Sequence, residues 1–175
     1  MDKKILVTYA SKYGATREIA EKIGEVLHQA GLQPDVIPVD GIQNITPYKA
    51  VILGSAIYIG KWQKEAVEFL RCNEKSLAER VVWLFSSGPT GEGNPLELIG
   101  GKSLPAELQP VAGRIRPRDI VVFGGYINPD KVNFIEKMAV KNLVKKPFGD
   151  FRDWHTIIAW ATTIADTLKD IEPTL

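Results

Sequence analysis

The sequence predicts an α/β fold in which one five-stranded parallel sheet lies between layers of helices. Apolar runs of strand length alternate with segments whose apolar residues recur at the helical period. The strand runs are continuously apolar, which indicates burial on both faces and therefore a parallel sheet covered by helices. The 175 residues fit one domain of ordinary size, so we expect residues 1–175 to form a single domain.

Each predicted element has its own signal in the sequence. The first strand covers residues 5–10, and in the helix that follows, Ile19, Ile23 and Leu27 share one face until Gly31 ends it. The remaining strands are the apolar runs 36–39, 50–53, 81–85 and 120–123, and further helices are expected at about 61–73, 106–111 and 154–169.

The strand order follows from this alternation. Five parallel strands joined by helices suit the order 2-1-3-4-5, and in such a sheet a ligand lies beyond the carboxyl ends of the strands where the order reverses. We therefore expect a site formed by the loops after strands one, three and four. Two segments exceed this plan: residues 88–118, which are rich in Gly and Pro, and an insertion at 128–153 before the last helix.

Composition limits the partners, covalent cross-links and cellular locations that the sequence allows. Lys and Arg number 22 against 21 Asp and Glu, and a net charge of +1 does not favour nucleic acid as a partner. The single cysteine, Cys72, excludes an intrachain disulfide and is expected to be partly buried. No Cys/His spacing suits a metal, so no metal site is expected. The N-terminal apolar run is too short for a signal peptide and no stretch could span a bilayer, which predicts a cytoplasmic protein.

The loop after the first strand has the features of a phosphate site. Thr16 opens a helix, and the backbone N–H groups at a helix start are unpaired and lie at the positive end of the helix dipole. Ser11 and Thr16 supply hydroxyl donors, and Gly14 lets the backbone approach a ligand closely. Lys12 can offset the negative charge of a phosphate. The alternative is plain N-capping by a hydroxyl residue.

This loop resembles the FMN phosphate loop of flavodoxins, a Ser/Thr-rich stretch that closes on Gly-x-Thr. Ser11, Gly14 and Thr16 match that pattern, whereas Tyr13 and Ala15 stand where flavodoxins commonly have Thr and Asn. Backbone groups or a lysine must then replace two side-chain donors. The resemblance implies a flavodoxin-like three-layer sandwich and noncovalently bound FMN that transfers electrons, with the phosphate held by Ser11, Lys12, Tyr13, Gly14, Ala15 and Thr16.

Two further loops resemble the segments that contact the flavin ring in flavodoxins. In residues 54–62, Tyr58 is the first choice for the aromatic residue beside the ring, and Trp62 is the second, with core packing as its alternative. Residues 86–91 can meet the pyrimidine edge through their backbone or form a flexible turn, and they lack the tyrosine that many flavodoxins stack on the outer face. The resulting candidates are Ser55, Ala56, Ile57, Tyr58, Ile59, Gly60, Trp62, Ser87, Gly88 and Pro89.

The charge of these loops predicts the behaviour of the flavin. Flavodoxins surround the flavin with carboxylates, whereas residues 54–62 and 86–90 contain no Asp or Glu and include Lys61. We therefore expect a flavin that is easier to reduce than in an acidic flavodoxin, with Lys61 near the ring. The chemistry would occur on the flavin, so no side chain is expected to be catalytic.

A narrower resemblance concerns the C-terminal third. Residues 123–129, the helix-like run to residue 146 and the pair Asp153-Trp154 resemble the quinone-linked protoporphyrinogen dehydrogenases, flavodoxin relatives with an insertion before the last helix. This resemblance implies a quinone as electron acceptor and a function in haem biosynthesis. A redox partner protein is the other expected partner. The basic segment 131–146 either packs on the sheet, which we favour, or lies on an acidic membrane surface.

One alternative of another class uses the same fold without a flavin. A receiver-type signalling domain needs a phosphorylatable Asp at the end of a central strand. The third predicted strand ends in Leu53-Gly54-Ser55, which counts against this alternative. Fold alone does not decide function, so the loops carry the prediction.

Overall fold

Parallel strands form the central sheet of the computed structural model, which describes residues 4–130 and 148–171. The strands are β1 (Lys4–Ala10), β2 (Pro34–Pro38), β3 (Tyr48–Tyr58), β4 (Lys61–Trp62), β5 (Val81–Ser87), β6 (Asp119–Phe123), β7 (Tyr126–Ile127) and β8 (Gly149–Asp150). Five of them pair in parallel in the order β2-β1-β3-β5-β6. Counted among parallel strands alone, this is 2-1-3-4-5, so the predicted fold class is confirmed.

The helices cover both faces of this sheet. Their bounds are α1 (Ala15–Gln29), α2 (Lys64–Cys72), α3 (Glu74–Ala78), α4 (Pro95–Leu98), α5 (Gln109–Ile115) and α6 (Trp154–Ile171), with 3₁₀ turns at Val39–Gly41 and Ala106–Leu108. On one face α1 and α6 pack on the sheet, and on the other face α2, α3 and α5 do so.

Alternate side chains of each strand enter the two cores. Ile52 belongs to the core under α1 and α6, and its neighbours Val51 and Leu53 belong to the opposite core. Strands buried on both faces are what the continuous apolar runs predicted. In the first core, the rings of Phe85, Phe123 and Trp160 lie 5.5–6.0 Å apart at tilted or edge-on angles, as aromatic clusters prefer.

The third strand is longer than the sequence predicted. The sequence predicts that this strand ends at Gly54, but β3 continues to Tyr58, and the chain then turns at residues 59–60 and pairs antiparallel through β4. A Cβ on Gly54 would lie 2.0 Å from Cζ of Phe85, so this glycine makes room for the ring of Phe85 inside the strand. The residues predicted as a loop are therefore mostly a β-hairpin.

Other sequence expectations need correction or lie outside the described residues. The helix predicted to begin at 61 begins at Lys64, because residues 61–62 form β4. Cys72, expected to be partly buried, is exposed. The helix expected within 131–146 falls outside the described residues. Within residues 4–130 and 148–171, none of the helices has the length and apolar character that crossing a membrane requires.

Candidate functional site

An open cleft of about 690 Å³ lies at the carboxyl ends of the parallel strands. This is the edge that the strand order predicted, since β1 and β3 are the neighbours at which the order reverses. The lining residues of the cleft are Ser11, Lys12, Tyr13, Ala15, Thr16, Ala56, Ile57, Tyr58, Ile59, Gln63, Ser87, Gly88, Gly125, Tyr126 and Ile127.

The N-terminus of α1 forms one end of the cleft. Gly14 is the N-cap residue with a φ of 93°, and no side chain caps the helix, so plain capping by a hydroxyl residue is not what the structure contains. The first bond into the helix runs from the N–H of Glu18 to the carbonyl of Gly14, at 3.1 Å. The N–H groups of residues 15–17 precede that bond, which is the arrangement that binds anions at helix starts.

Two hydroxyl residues accompany these backbone donors. The Oγ of Ser11 accepts the N–H of Gly14 at 3.0 Å, which shapes the loop and leaves the hydroxyl hydrogen of Ser11 available for donation. Thr16 lies in the first turn of α1, lines the cleft and is 1% exposed. This end of the cleft therefore presents donors of both kinds to an anionic group.

Tyr58, at the end of β3, forms a side wall of the cleft. The ammonium nitrogen of Lys12 lies 4.0 Å from the centre of the Tyr58 ring and 5.4 Å from that of Tyr13. Such cation–π contacts contribute on the order of 0.5–1 kcal/mol at exposed positions. One lysine thus joins the loop after β1 to the tyrosine wall.

Close backbone packing between three glycines forms the floor beside β5 and β6. A Cβ on Gly88 would lie 2.5 Å from the carbonyl oxygen of Ile57, and one on Gly125 would lie 2.7 Å from Cα of Gly88. A Cβ on Gly124 would lie 2.0 Å from the carbonyl oxygen of Phe151. Only glycine allows these approaches without a shift of the backbone. The backbone at the ends of β3, β5 and β6 is therefore closely packed below the cleft.

The opposite wall comes from β7, where Tyr126 and Ile127 pair with β8. The N–H of Gly125 donates to the carbonyl of Pro89 at 2.8 Å, and the N–H of Phe151 donates to the carbonyl of Gly125 at 2.9 Å. These bonds hold β7 next to the loop after β5. A third aromatic residue of the lining, after Tyr13 and Tyr58, thus comes from the end of β6, although the loop after β5 has none.

The structure brings most of the predicted residues together, but five of the sixteen do not line the cleft. Trp62 is 4% exposed and its indole N–H donates to Oγ of Ser86 at 2.8 Å, so it packs in the core. Ser55 is fully buried, and its Oγ accepts the N–H of Gln63 at 2.9 Å. The five residues are Gly14, Ser55, Gly60, Trp62 and Pro89, whereas Ser11, Lys12, Tyr13, Ala15, Thr16, Ala56, Ile57, Tyr58, Ile59, Ser87 and Gly88 line it.

Four lining residues were absent from the sequence-based set. Gln63 follows β4, and its position depends on the hairpin that the sequence did not predict. Gly125, Tyr126 and Ile127 follow β6, the last parallel strand. The rule that ligands lie beyond the carboxyl ends of strands applies to that strand too, so a wider use of the rule would have included them.

The cleft is positive and lacks carboxylates. Among the described residues that line it, Lys12 is the one charged side chain, and none is Asp or Glu. Lys61, expected near the ring, is exposed and does not line the cleft. The cation placed to act on a ligand is therefore Lys12. No group of acidic, His or Cys residues in the described part of the chain could hold a metal.

These features fit FMN. The uncapped start of α1 suits a phosphate monoester, and the walls carrying Tyr58 and Tyr126 suit a flat ring system. Thr90, three residues beyond β5, is 6% exposed, and its Oγ1 has no hydrogen-bond partner among the described residues. Thr90 does not line the cleft, so the fit to FMN rests on the start of α1 and on the tyrosine walls.

Comparison with known proteins gives a consistent result. Residues 6–153 match the family model described as the flavodoxin domain. A curated relative, protoporphyrinogen IX dehydrogenase [quinone] from Escherichia coli (strain K12), is 25% identical over 98% of this chain and 99% of the relative.

Solved structures show the same fold at low sequence identity. A flavodoxin from the domain Archaea aligns with a TM-score of 0.62 and 14% identity, covering 95% of this chain and 99% of that one. Flavodoxin 2 from Bacillus cereus aligns with a TM-score of 0.58 and 20% identity, over 95% and 99%. Rubredoxin oxygen:oxidoreductase from Desulfovibrio gigas aligns with a TM-score of 0.64 and 14% identity, over 96% of this chain and 36% of that protein.

Proposed function

The chain belongs to the flavodoxin domain family and is a redox protein that binds FMN noncovalently, and we propose that it delivers its electrons to a quinone. The observation that carries this proposal is the lining of the cleft. Apart from a few polar side chains such as those of Ser11 and Thr16, it is apolar and aromatic, and among the described residues Lys12 is its one charged group and no carboxylate lines it. The resemblance attributes acidic surroundings of the flavin to flavodoxins. The lining found here suits a neutral, planar electron acceptor better than such acidic surroundings would.

FMN supplies the electron-transfer chemistry when it is bound, and the chain supplies its position. The N–H groups of residues 15–17 and the hydroxyls of Ser11 and Thr16 would hold the phosphate. Tyr58 and Tyr126 would flank the ring system, and the backbone at Gly88 would meet its polar edge. The closely packed backbone at Gly88, Gly124 and Gly125 would keep water from the side of the ring that faces it.

The rim of the cleft supports an apolar acceptor. Ile59 is 63% exposed, lies in the turn of the β3–β4 hairpin and lines the cleft, as does Ile127 on the opposite wall. Two aliphatic side chains at the mouth favour contact with a quinone ring over a charged partner. The curated relative carries quinone in its name and aligns over nearly the whole length of both chains, which also supports this choice.

The electron donor is a separate part of the proposal. The name of the same relative makes protoporphyrinogen IX the candidate donor for this chain. A quinone dissolved in a membrane would require the protein to approach the bilayer, and the basic segment 131–146 is our candidate for that contact. The second candidate function is an electron carrier that docks a redox partner protein.

Rapid mixing under anaerobic conditions tests the quinone proposal. The FMN-loaded protein is first reduced with light and a sacrificial donor, then mixed with menadione, and the return of oxidised flavin absorbance is followed. We expect reoxidation whose rate saturates with quinone concentration, as binding in the cleft requires. A rate that stays slow and rises linearly with menadione would contradict the proposal and favour the carrier. Quinone-dependent appearance of protoporphyrin fluorescence from protoporphyrinogen IX tests the donor separately.

A further inference from the structure

Arg152 lies outside the cleft lining yet contacts two of its walls. Its side chain is 5% exposed, although the carboxylates that it pairs with, on Glu18 and Asp150, are 49% and 41% exposed. Its Nε and Nη2 donate to the two oxygens of Asp150 at 2.9 and 2.8 Å, which is a bidentate fork. Burial of an arginine at the surface edge of a fold requires such a set of partners.

The same guanidinium reaches the first turn of α1. Its Nη1 donates to Oε2 of Glu18 at 2.6 Å and to the carbonyl oxygen of Ala15 at 3.3 Å. Ala15 lines the cleft, and its N–H is one of the backbone donors at the phosphate end. Arg152 is therefore bonded to the backbone of the anion-binding turn without occupying the anion position itself.

Arg152 also contacts the aromatic wall. Its guanidinium carbon lies 5.0 Å from the ring centre of Tyr126 and 4.7 Å from that of Trp154. Tyr126 lines the cleft and is the direct cross-strand partner of Asp150, which the fork holds. The side chain of Arg152 thus contacts the Tyr126 ring and also bonds to Asp150, the residue that pairs with Tyr126 across the two strands.

The β7–β8 ladder needs this support. It consists of two residue pairs, and isolated two-stranded hairpins are marginal in water. Residues 128–148 separate the two strands, so no tight turn closes this hairpin. Beyond its own ladder, the described bonds that fix it to the rest of the molecule run through Gly125 and Arg152.

We propose that Arg152 is a positioning residue that sets the separation between the Tyr126 wall and the phosphate-binding turn of α1. The inference rests on the proposed placement of FMN in the cleft. A ligand that contacts both the turn of α1 and the Tyr126 wall binds more tightly when these two parts of the cleft are held at a fixed distance. Once the ligand has bound one part, its contact with the other part is intramolecular. FMN uses both ends, whereas riboflavin, which lacks the phosphate, uses only the ring end. Arg152 thereby determines how strongly the protein prefers FMN over riboflavin.

The test compares dissociation constants of FMN and riboflavin, measured by flavin fluorescence on apoprotein. We expect Arg152→Met and Arg152→Lys each to reduce the preference for FMN by about tenfold, because lysine keeps the charge but cannot form the fork. Arg114→Met is the matched control, because it removes the same charge from an arginine that also forms a two-bond fork, with Glu74, but lies in α5 and does not line the cleft. It should leave the preference within about twofold.

Two results would overturn the inference: an unchanged preference in Arg152→Met, or full recovery in Arg152→Lys, which would mean that charge alone matters. If Arg152→Met does not fold by circular dichroism, Asp150→Asn replaces it, because it weakens the fork at an exposed carboxylate. A smaller loss of preference is then expected, and no loss contradicts the inference. Wild-type protein that binds riboflavin as tightly as FMN would instead refute the proposed phosphate site, whatever the variants show.

Discussion

At the scale of single residues, Thr16 is the side chain whose role can be isolated most cleanly. It is buried in the first turn of α1 and lines the cleft. Thr16→Val keeps its shape but removes the hydroxyl, and a hydrogen bond to a charged oxygen contributes roughly 1.5–3 kcal/mol. We expect FMN affinity to fall by about ten- to a hundredfold in a fluorescence titration. Thr16→Ser, which keeps the hydroxyl, should stay close to wild type, and equal affinities for the two variants would contradict the assignment.

Lys12 is the residue that should tune the flavin. One charge about 8 Å from the ring, at an effective dielectric near 20, contributes roughly 2 kcal/mol before screening. Because Lys12 is exposed, salt reduces this value, and we expect Lys12→Met to lower the midpoint potential of bound FMN by some tens of millivolts at low salt.

Lys61→Met is the control for that change, because Lys61 is also exposed but does not line the cleft. A redox titration of Lys12→Met and Lys61→Met compares the midpoint potentials of bound FMN in the two variants. Equal shifts in the two variants would show that general surface charge, and not the position of Lys12, sets the potential.

Residue types in the loop sequences predicted much of the site but not all of it. Ser11, Thr16 and Tyr58 line the cleft as expected, because Tyr58 ends a parallel strand and Ser11 and Thr16 lie in the loop and helical turn that follow another. Trp62 is the second aromatic candidate by type, with core packing as its alternative. Its indole instead bonds to Ser86, 24 residues away, and such a long-range pairing leaves no local signal.

At the scale of elements, the glycine floor can be tested by adding one methyl group. Gly125→Ala would place a Cβ 2.7 Å from the backbone of Gly88, and overpacking of this kind costs about 1–3 kcal/mol. We expect that loss in the free energy of unfolding by urea, together with weaker FMN binding.

Gly113→Ala is the matched control, because Gly113 lies in α5 with nothing within 4 Å of its added Cβ. It should stabilise the protein by about 0.5–1 kcal/mol, since alanine is the better helix former. If Gly125→Ala and Gly113→Ala change the free energy of unfolding alike, the close backbone packing at Gly125 does not contribute to stability.

A hydrogen bond between the start of β3 and β2 predicts an alkaline loss of stability. Burial, together with a hydrogen bond of 2.9 Å to Asp35, raises the pKa of Tyr48 to about 12 from its ordinary 10.0. A raised pKa means that this contribution is complete below pH 10 and is lost as the pH rises through about 12. Tyr48→Phe should lower stability by about 1 kcal/mol at neutral pH and flatten the decline above pH 10 in urea unfolding. A parallel decline in both proteins would contradict this origin.

The elements themselves were predicted well in kind and less well in extent. The apolar runs located all five parallel strands, but β3 extends past Gly54 because that glycine accommodates the ring of Phe85. A glycine in a strand and a glycine at its end are the same letter in the sequence. The partner that distinguishes them lies in a different strand, so the boundary follows from packing and not from local propensity.

At the scale of the whole molecule, the order of strands and the edge that carries the site followed from the sequence. Both depend on a simple alternation of apolar runs and helices, which few topologies satisfy. Tyr126 follows the last parallel strand and falls within the carboxyl-end rule, but the pairing of residues 126–127 with 149–150 across the insertion, which holds this wall, was not predicted. Local patterns do not encode the register of two strands that lie so far apart.

The central claim, that the cleft holds one flavin mononucleotide, is tested most directly by the flavin that heat releases from the purified protein. The start of α1 lines the cleft with Ala15 and Thr16, whereas α2, whose start also reaches the described lining, contributes only its N-cap residue, Gln63. We therefore predict one FMN per chain, identified by chromatography against FMN, FAD and riboflavin standards. Release of FAD, or failure of the apoprotein to take up FMN on reconstitution, would contradict the account.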